Sequence, residues 1–190
     1  MKTGLFFGSF NPIHIGHMAI ANYMLSFEGL NEIWFIVSPQ NPFKQKQTLL
    51  PERQRLEMVH LAINNAPGYR ASDIEFSLPQ PSYTIHTLAY LKEKFPNREF
   101  ILIMGQDNLS SFHKWKNYEM ILANYSILVY PRQDAQTSEF EKHPSVKLTE
   151  APQFDISSTF IRNAFAKNYD IRFYLPDKVF QYIDEMNFYR

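Results

Sequence analysis

The sequence has no cysteine among its 190 residues. That excludes a disulfide framework, a thiolate zinc site and a cysteine nucleophile. No apolar run approaches the roughly 20 residues that a membrane-spanning helix needs. The opening MKTGLFFGSFNP carries one lysine and a very short apolar stretch, which does not make a signal peptide. Lys+Arg and Asp+Glu are 19 each, so the formal net charge is zero. A broadly basic surface for nucleic acid is excluded, although a local cationic pocket is not. The expectation is a soluble cytoplasmic protein with no nucleic-acid or membrane partner. Glycine is scarce as well: six residues, where average usage of about 7% would give roughly 13. Three of the six, Gly4, Gly8 and Gly16, fall in the first 16 residues. The backbone there is expected to need unusual φ values or a close approach by a ligand.

What the chain does have is aromatic: 17 Phe, 11 Tyr and 2 Trp, most of them core by default. A chain of this length buries about 70% of its unfolded surface. One domain over residues 1–190 needs no covalent staple, and its C-terminal helical part is expected from about residue 157.

Short apolar strands alternate with helical patterns. Strands are predicted at Leu5–Phe7, Glu32–Ser38, Tyr69–Glu75, Glu99–Met104, Tyr125–Tyr130 and Val146–Leu148. Helices are predicted at Gly16–Glu28, Glu52–Asn64, Tyr83–Lys94, Tyr118–Ala123, Ser158–Ala166 and Asp177–Met186. The segments 39–51 and 133–144 read as polar excursions. Strands that are apolar throughout, separated by helices, predict an α/β fold with a mainly parallel sheet covered on both faces. In such sheets ligands bind beyond the carboxyl ends of the strands. The loops at 8–14, 38–45, 105–115 and 131–133 should therefore share one rim.

The first of these loops is Gly8-Ser9-Phe10-Asn11-Pro12-Ile13-His14-Ile15-Gly16-His17. It runs from a strand into a helix, whose free N–H groups and dipole suit phosphate. His14 and His17 are three apart and can face one way, where imidazoles donate to developing negative charge. Two readings compete with this one: a capped turn with one buried and one exposed histidine, and a two-histidine metal site that lacks a nearby third ligand. No Gly-Lys-Ser/Thr closes the loop, so it is not a P-loop.

The loop resembles the signature of the nucleotidyltransferase superfamily with an H-x-G-H motif. Ile156-Ser157-Ser158-Thr159-Phe160-Ile161-Arg162 resembles that superfamily's second signature, I-S-S-T-x-I-R. Pro81-Ser82-Tyr83-Thr84, Met104-Gly105-Gln106-Asp107 and Phe112–Trp115 are similar to the bacterial nicotinate-nucleotide adenylyltransferase branch. Asn11 stands where Asp is common in the first signature, at a position read as structural.

The resemblance implies a Rossmann-like, doubly wound fold. It also implies an enzyme that transfers the adenylyl group of ATP to nicotinate mononucleotide, releasing pyrophosphate. His14, His17 and Arg162 would then be catalytic. Gly8, Ser9, Phe10, Gly105, Asp107, Ser157 and Ser158 would bind ATP. Ser82, as the N-cap of its helix, Tyr83, Thr84 and Trp115 would hold the mononucleotide. Lys44 and Arg132 are further phosphate ligands in this scheme, and Lys46 a weaker one. Mg²⁺ would arrive on the ATP phosphates, with no dedicated protein ligands. The alternatives are an adenylyltransferase for nicotinamide mononucleotide or phosphopantetheine, or a nucleotide-binding module without turnover.

Overall fold

The computed structural model describes residues 1–39, 49–133 and 135–190. Lys44 and Lys46 lie outside the described residues, so their expected roles have no structural counterpart here.

The sheet is parallel throughout. Its strands are β1 (Lys2–Gly8), β2 (Glu32–Val37), β3 (Tyr69–Ser72), β4 (Glu99–Gly105), β5 (Ser126–Tyr130) and β6 (Val146–Leu148), in the order β3-β2-β1-β4-β5-β6. The order reverses between β1 and β4, which pair with Leu5 opposite Leu102. The helices are α1 (Ile15–Phe27), α2 (Glu52–Ile63), α3 (Thr84–Lys94), α4 (Gln106–Ser110), α5 (Tyr118–Asn124), α6 (Ser158–Ala166) and α7 (Asp177–Glu185). The expected doubly wound α/β architecture is the one found.

Alternation along the strands builds two cores. Phe6, Phe35 and Ile103 pack on one face with Met24 of α1, Met58 of α2, Ile161 of α6 and Val179 of α7. Leu5, Trp34 and Leu102 pack on the other with Leu88 and Leu91 of α3 and Ile121 of α5. Both faces being covered is why the strands read as unbroken apolar runs. No helix of the described residues is long and apolar enough to cross a membrane.

Several boundaries differ from the sequence reading. The strand predicted over Tyr69–Glu75 stops at Ser72, and Ile74–Ser77 forms a 3-10 turn. The turn carries Glu75 inward, where the carboxylate meets hydroxyls from later in the chain. The segment read as a loop after β4 holds α4 and a 3-10 turn at Phe112–Lys114. The excursion at 133–144 contains another turn, Glu139–Lys142, opened by a Ser138–Glu141 capping box. Phe140 anchors that turn on Phe112 and Tyr118.

Candidate active site

A cavity of about 700 Å³ opens at the carboxyl ends of β1 and β4, at the point where strand order reverses. Twelve of the residues singled out from the sequence line it: Gly8, Ser9, Phe10, His17, Ser82, Tyr83, Thr84, Gly105, Asp107, Trp115, Arg132 and Ser158. His14, Ser157 and Arg162 are not among the lining residues. Five segments separated in sequence thus converge on one space.

The first loop is shaped by its own aromatic residue. Phe10 sits at φ 46° with its ring buried, edge-on to Phe6, Phe35 and His17. A Cβ on Gly8 would come within 2.7 Å of that ring. Phe10 folding back over it is one reason the position requires glycine. The Phe10 ring is core, so a nucleotide could meet only its main chain.

Asn11 then locks the loop in place. Its Oδ1 accepts from the Tyr189 hydroxyl at 2.8 Å and from the Leu50 amide at 3.3 Å. Two donors converging on one buried oxygen, which an amide or a carboxylate can equally supply, support the structural reading of this position.

His14 and His17 do face each other, with ring centroids 3.7 Å apart. Their environments differ. His14 is 3% exposed, and burial, helped by the Arg132 cation, pulls its pKa down to about 3. It is neutral at pH 7 and lies below the cavity surface. His17 lines the cavity, and its Nδ1 accepts from the His14 amide at 3.3 Å. Acceptance at Nδ1 puts the neutral ring's proton on Nε2, which fixes His17 as a donor through that atom.

The buried His14 has a consequence for stability. Between pH 6.5 and about 3 the unfolded chain binds a proton at this position that the folded chain does not. Stability conferred by neutral His14 is thus complete above pH 6.5 and is lost as pH falls toward 3, on the order of 5 kcal/mol in total. His14→Phe should show a shallower decline of melting temperature with acid than the wild type. Parallel curves for the two proteins would contradict this.

The second signature is bound to the first across the length of the chain. Ser158 Oγ donates to the Pro12 carbonyl at 2.9 Å, and Arg162 Nη1 donates to the Asn11 carbonyl at 2.8 Å. Arg162 Nη2 reaches the Thr159 hydroxyl at 3.2 Å. Ser157 is the N-cap of α6, accepting from the Phe160 amide at 3.1 Å. The α6 start, with its first-turn amides, is thereby docked beside the start of α1. Two helix N-termini side by side give a concentrated site for anionic oxygens.

On the β4 side, a Cβ on Gly105 would lie 2.3 Å from Asp107 Oδ1 and 3.1 Å from the Tyr130 ring. The glycine lets the Asp107 carboxylate fold back over the strand end. Arg132 Nε lies 3.8 Å from that carboxylate, and its guanidinium lies 5.4 Å from the Tyr130 ring centroid. Trp115 is half-buried, braced on one side by Phe112 at 5.2 Å between centroids.

Ser82 is not the N-cap of α3. The cap position belongs to Tyr83, which makes no side-chain cap bond. Ser82 Oγ instead donates to Glu75 Oε2 at 3.1 Å, and Thr87 Oγ1 donates to Glu75 Oε1 at 2.7 Å. Burial pushes the Glu75 carboxyl above the ordinary carboxylate range, against the pull of hydrogen bonds from Thr87, Ser38 and Ser82. Glu75 and Ser38 line the cavity too, and nothing in local spacing marked them.

Arg55 was also missed. It is completely buried, with Nη1 donating to the Ser9 carbonyl (2.5 Å) and the Ser38 carbonyl (2.8 Å). Nη2 reaches the Pro39 carbonyl at 2.8 Å, and Nε the Leu50 carbonyl at 2.9 Å. A signal was present: Arg55, Met58, Val59 and Ile63 share the buried stripe of α2, so an arginine stands where the pattern calls for an apolar residue.

Residues 5–164 match the family model described as cytidylyltransferase-like. A protein of Flavobacterium johnsoniae, named "Probable nicotinate-nucleotide adenylyltransferase", is 54% identical over the full length of both chains. One of the same name from Cytophaga hutchinsonii is 51% identical over all of this chain and 98% of its own. Among solved structures, the Plasmodium falciparum nicotinic acid mononucleotide adenylyltransferase complexed with NaAD superposes with a TM-score of 0.85. It is 24% identical and aligns over 99% of this chain and 97% of its own, which bears on the fold alone. Both signature loops, docked against each other at the switch point, and the full-length relatives lead to one assignment: the chain belongs to the cytidylyltransferase-like family and, within it, to the nicotinate-nucleotide adenylyltransferases.

Proposed function

We propose that the protein joins nicotinate mononucleotide to the adenylyl group of ATP, forming nicotinate adenine dinucleotide and pyrophosphate, a step of NAD biosynthesis. The observation that carries this reading is the docking of α6 on the first loop through Ser158–Pro12 and Arg162–Asn11. It assembles His17, Ser158 and two helix starts around one cavity that also holds Trp115 and the Ser82–Thr84 turn.

In this scheme a phosphate oxygen of the mononucleotide attacks the α-phosphorus of ATP in line. The new O–Pα bond forms as the bond from Pα to the β-phosphate oxygen breaks, and pyrophosphate leaves. The second pKa of a phosphate monoester is about 6, so the nucleophile is ionised at pH 7 and needs no general base. The work left to the protein is positioning and charge stabilisation. His17 Nε2–H is assigned to the transferring phosphate. The starts of α1 and α6 are assigned to the outer phosphates, and Ser158, whose hydroxyl proton is given to the Pro12 carbonyl, to docking α6 beside them. Arg162 acts chiefly by holding Asn11 and α6 in place, and His14 by orienting His17. Gly105 and Asp107 are assigned to the nucleoside of ATP, and Arg132 to phosphate. Trp115 is assigned to stack on the pyridine ring, a contact worth about 1–3 kcal/mol for such rings.

Mg²⁺ is proposed to enter on the ATP phosphates, where it neutralises charge. The donor set of the cavity suits that arrangement, since His17 and Arg132 can address phosphate oxygens while the Asp107 carboxylate lies 3.8 Å from Arg132. The cytoplasm, where ATP is available, is the proposed compartment.

The test is a substrate panel. ATP is mixed in turn with nicotinate mononucleotide, nicotinamide mononucleotide and phosphopantetheine, and pyrophosphate and the adenylylated product are measured. Fastest turnover of the nicotinate substrate is expected. Faster turnover of either alternative, or none at all, would refute the assignment.

A further inference from the structure

The acceptor end of the cavity contains a cation whose position suits recognition of an acidic ring substituent. Ser82, Tyr83 and Thr84 form one wall there, and Trp115 and Lys116 contribute to the same lining. Lys116 Nζ lies 4.4 Å from the centroid of the Tyr83 ring. Among the described residues it has no carboxylate within ion-pair distance, in contrast to Arg132. Its ammonium carries three protons and no lone pair, so it can only donate.

The neighbouring hydroxyls are already committed. Glu75 takes the protons of Ser82 and Thr87 and is also hydrogen-bonded by Ser38. A hydroxyl has one proton, so Ser82 turns lone pairs, not a donor, toward a ligand. The Thr84 hydroxyl can rotate to donate or accept and therefore cannot discriminate. The uncapped first turn of α3 supplies backbone N–H groups, which an acid and an amide oxygen can both accept. A full positive charge adds to the preference of the helix start for a carboxylate over a carboxamide, and of the two lysines in the lining, Lys114 and Lys116, Lys116 is the one placed over Tyr83.

We infer that Lys116 is the specificity-determining residue for the ring substituent, selecting a carboxylate over a carboxamide from its place across Tyr83. This rests on the reading that a pyridine mononucleotide is the acceptor. The glutamate sharpens the need for the lysine, since a buried acidic group behind Ser82 would otherwise make that wall less hospitable to a second carboxylate.

The experiment compares kcat/KM for nicotinate and nicotinamide mononucleotide in wild type, Lys116→Met and Lys116→Arg. Both substrates carry the same phosphate, so their ratio isolates the ring substituent. A charge-assisted hydrogen bond corresponds to roughly a tenfold or larger preference. Lys116→Met should lower the acid-to-amide ratio about tenfold, mainly through KM for the acid, with KM for ATP unchanged. Lys116→Arg should keep most of the preference. The side chain is exposed, so melting temperatures should stay within a degree or two of wild type. An equal loss for both mononucleotides would assign Lys116 to the shared phosphate and overturn the inference. An unchanged ratio would overturn it in favour of the backbone N–H groups. Wild-type protein that turns over neither mononucleotide refutes the underlying reading instead, and this assignment with it.

Discussion

Replacing His17 with alanine is expected to lower kcat by about 10²–10³ while leaving KM for ATP within a few-fold, as for the loss of one preorganised donor to developing charge. The expectation rests on how the ring is held. Nδ1 accepts from the His14 amide, Phe6 and Phe10 approach edge-on, and His14 lies against one face. These contacts leave the imidazole little freedom, so its Nε2–H needs no reorganisation as charge builds on the α-phosphate. Binding of ATP draws on two helix starts and should survive the substitution. His17→Asn retains a donor on a shorter side chain and should recover part of the rate. Because His17 packs against buried rings, melting temperature must be followed alongside. A variant that stays folded with near-normal kcat would remove His17 from the mechanism.

The parallel sheet was legible because its strands are buried on both sides. Leu5–Phe7 and Phe100–Met104 are apolar without alternation, and that pattern has few other meanings. The strand ends were less legible. Lys2 and Thr3 extend β1 by backbone pairing with β2 and β4 that no apolar pattern announces. Helix α4 starts directly at the end of β4, and its polar Gln106-Asp107-Asn108 reads as a loop. At the site, the two signatures could be found as motifs, and the rim they share followed from where they sit relative to strands. Their mode of contact could not be read. The hydrogen bonds from Ser158 and Arg162 to Pro12 and Asn11 span 146 and 151 residues and involve backbone carbonyls, which no sequence pattern encodes. Glu75 escaped for a related reason, since its hydroxyl partners Ser82 and Thr87 lie 7 and 12 residues on, beyond a turn that composition presented as strand.

Arg55 gives the second large expected effect. Its guanidinium joins the loop after β1, the loop after β2 and the segment leading into α2 through four carbonyls, none of its hydrogen bonds going to a carboxylate. Arg55→Met fills much of the volume but leaves the carbonyls of Ser9, Ser38, Pro39 and Leu50 without their donors. An unsatisfied buried polar group costs about 1–3 kcal/mol, offset in part because a buried charge has also been removed. A net loss of about 4 kcal/mol is expected from these opposing contributions. For a domain of this size that lowers Tm by roughly 8–16 °C. Arg55→Lys carries three donors on a flexible stem, cannot span four acceptors in one plane, and should fall between the two. The functional effect follows from what the carbonyls belong to. Ser9 and Ser38 both line the cavity, and Ser38 also bonds Glu75, so loosening them disturbs the phosphate end and the acceptor end together. In Arg55→Lys, assayed well below its melting temperature, KM should rise for both substrates, unlike the single-substrate effect assigned to Lys116. Thermal melts and two-substrate kinetics on the same preparations decide the matter. If Arg55→Met melts within 2 °C of wild type, the four hydrogen bonds do not hold the rim, and the two loops must be fixed by their strands alone.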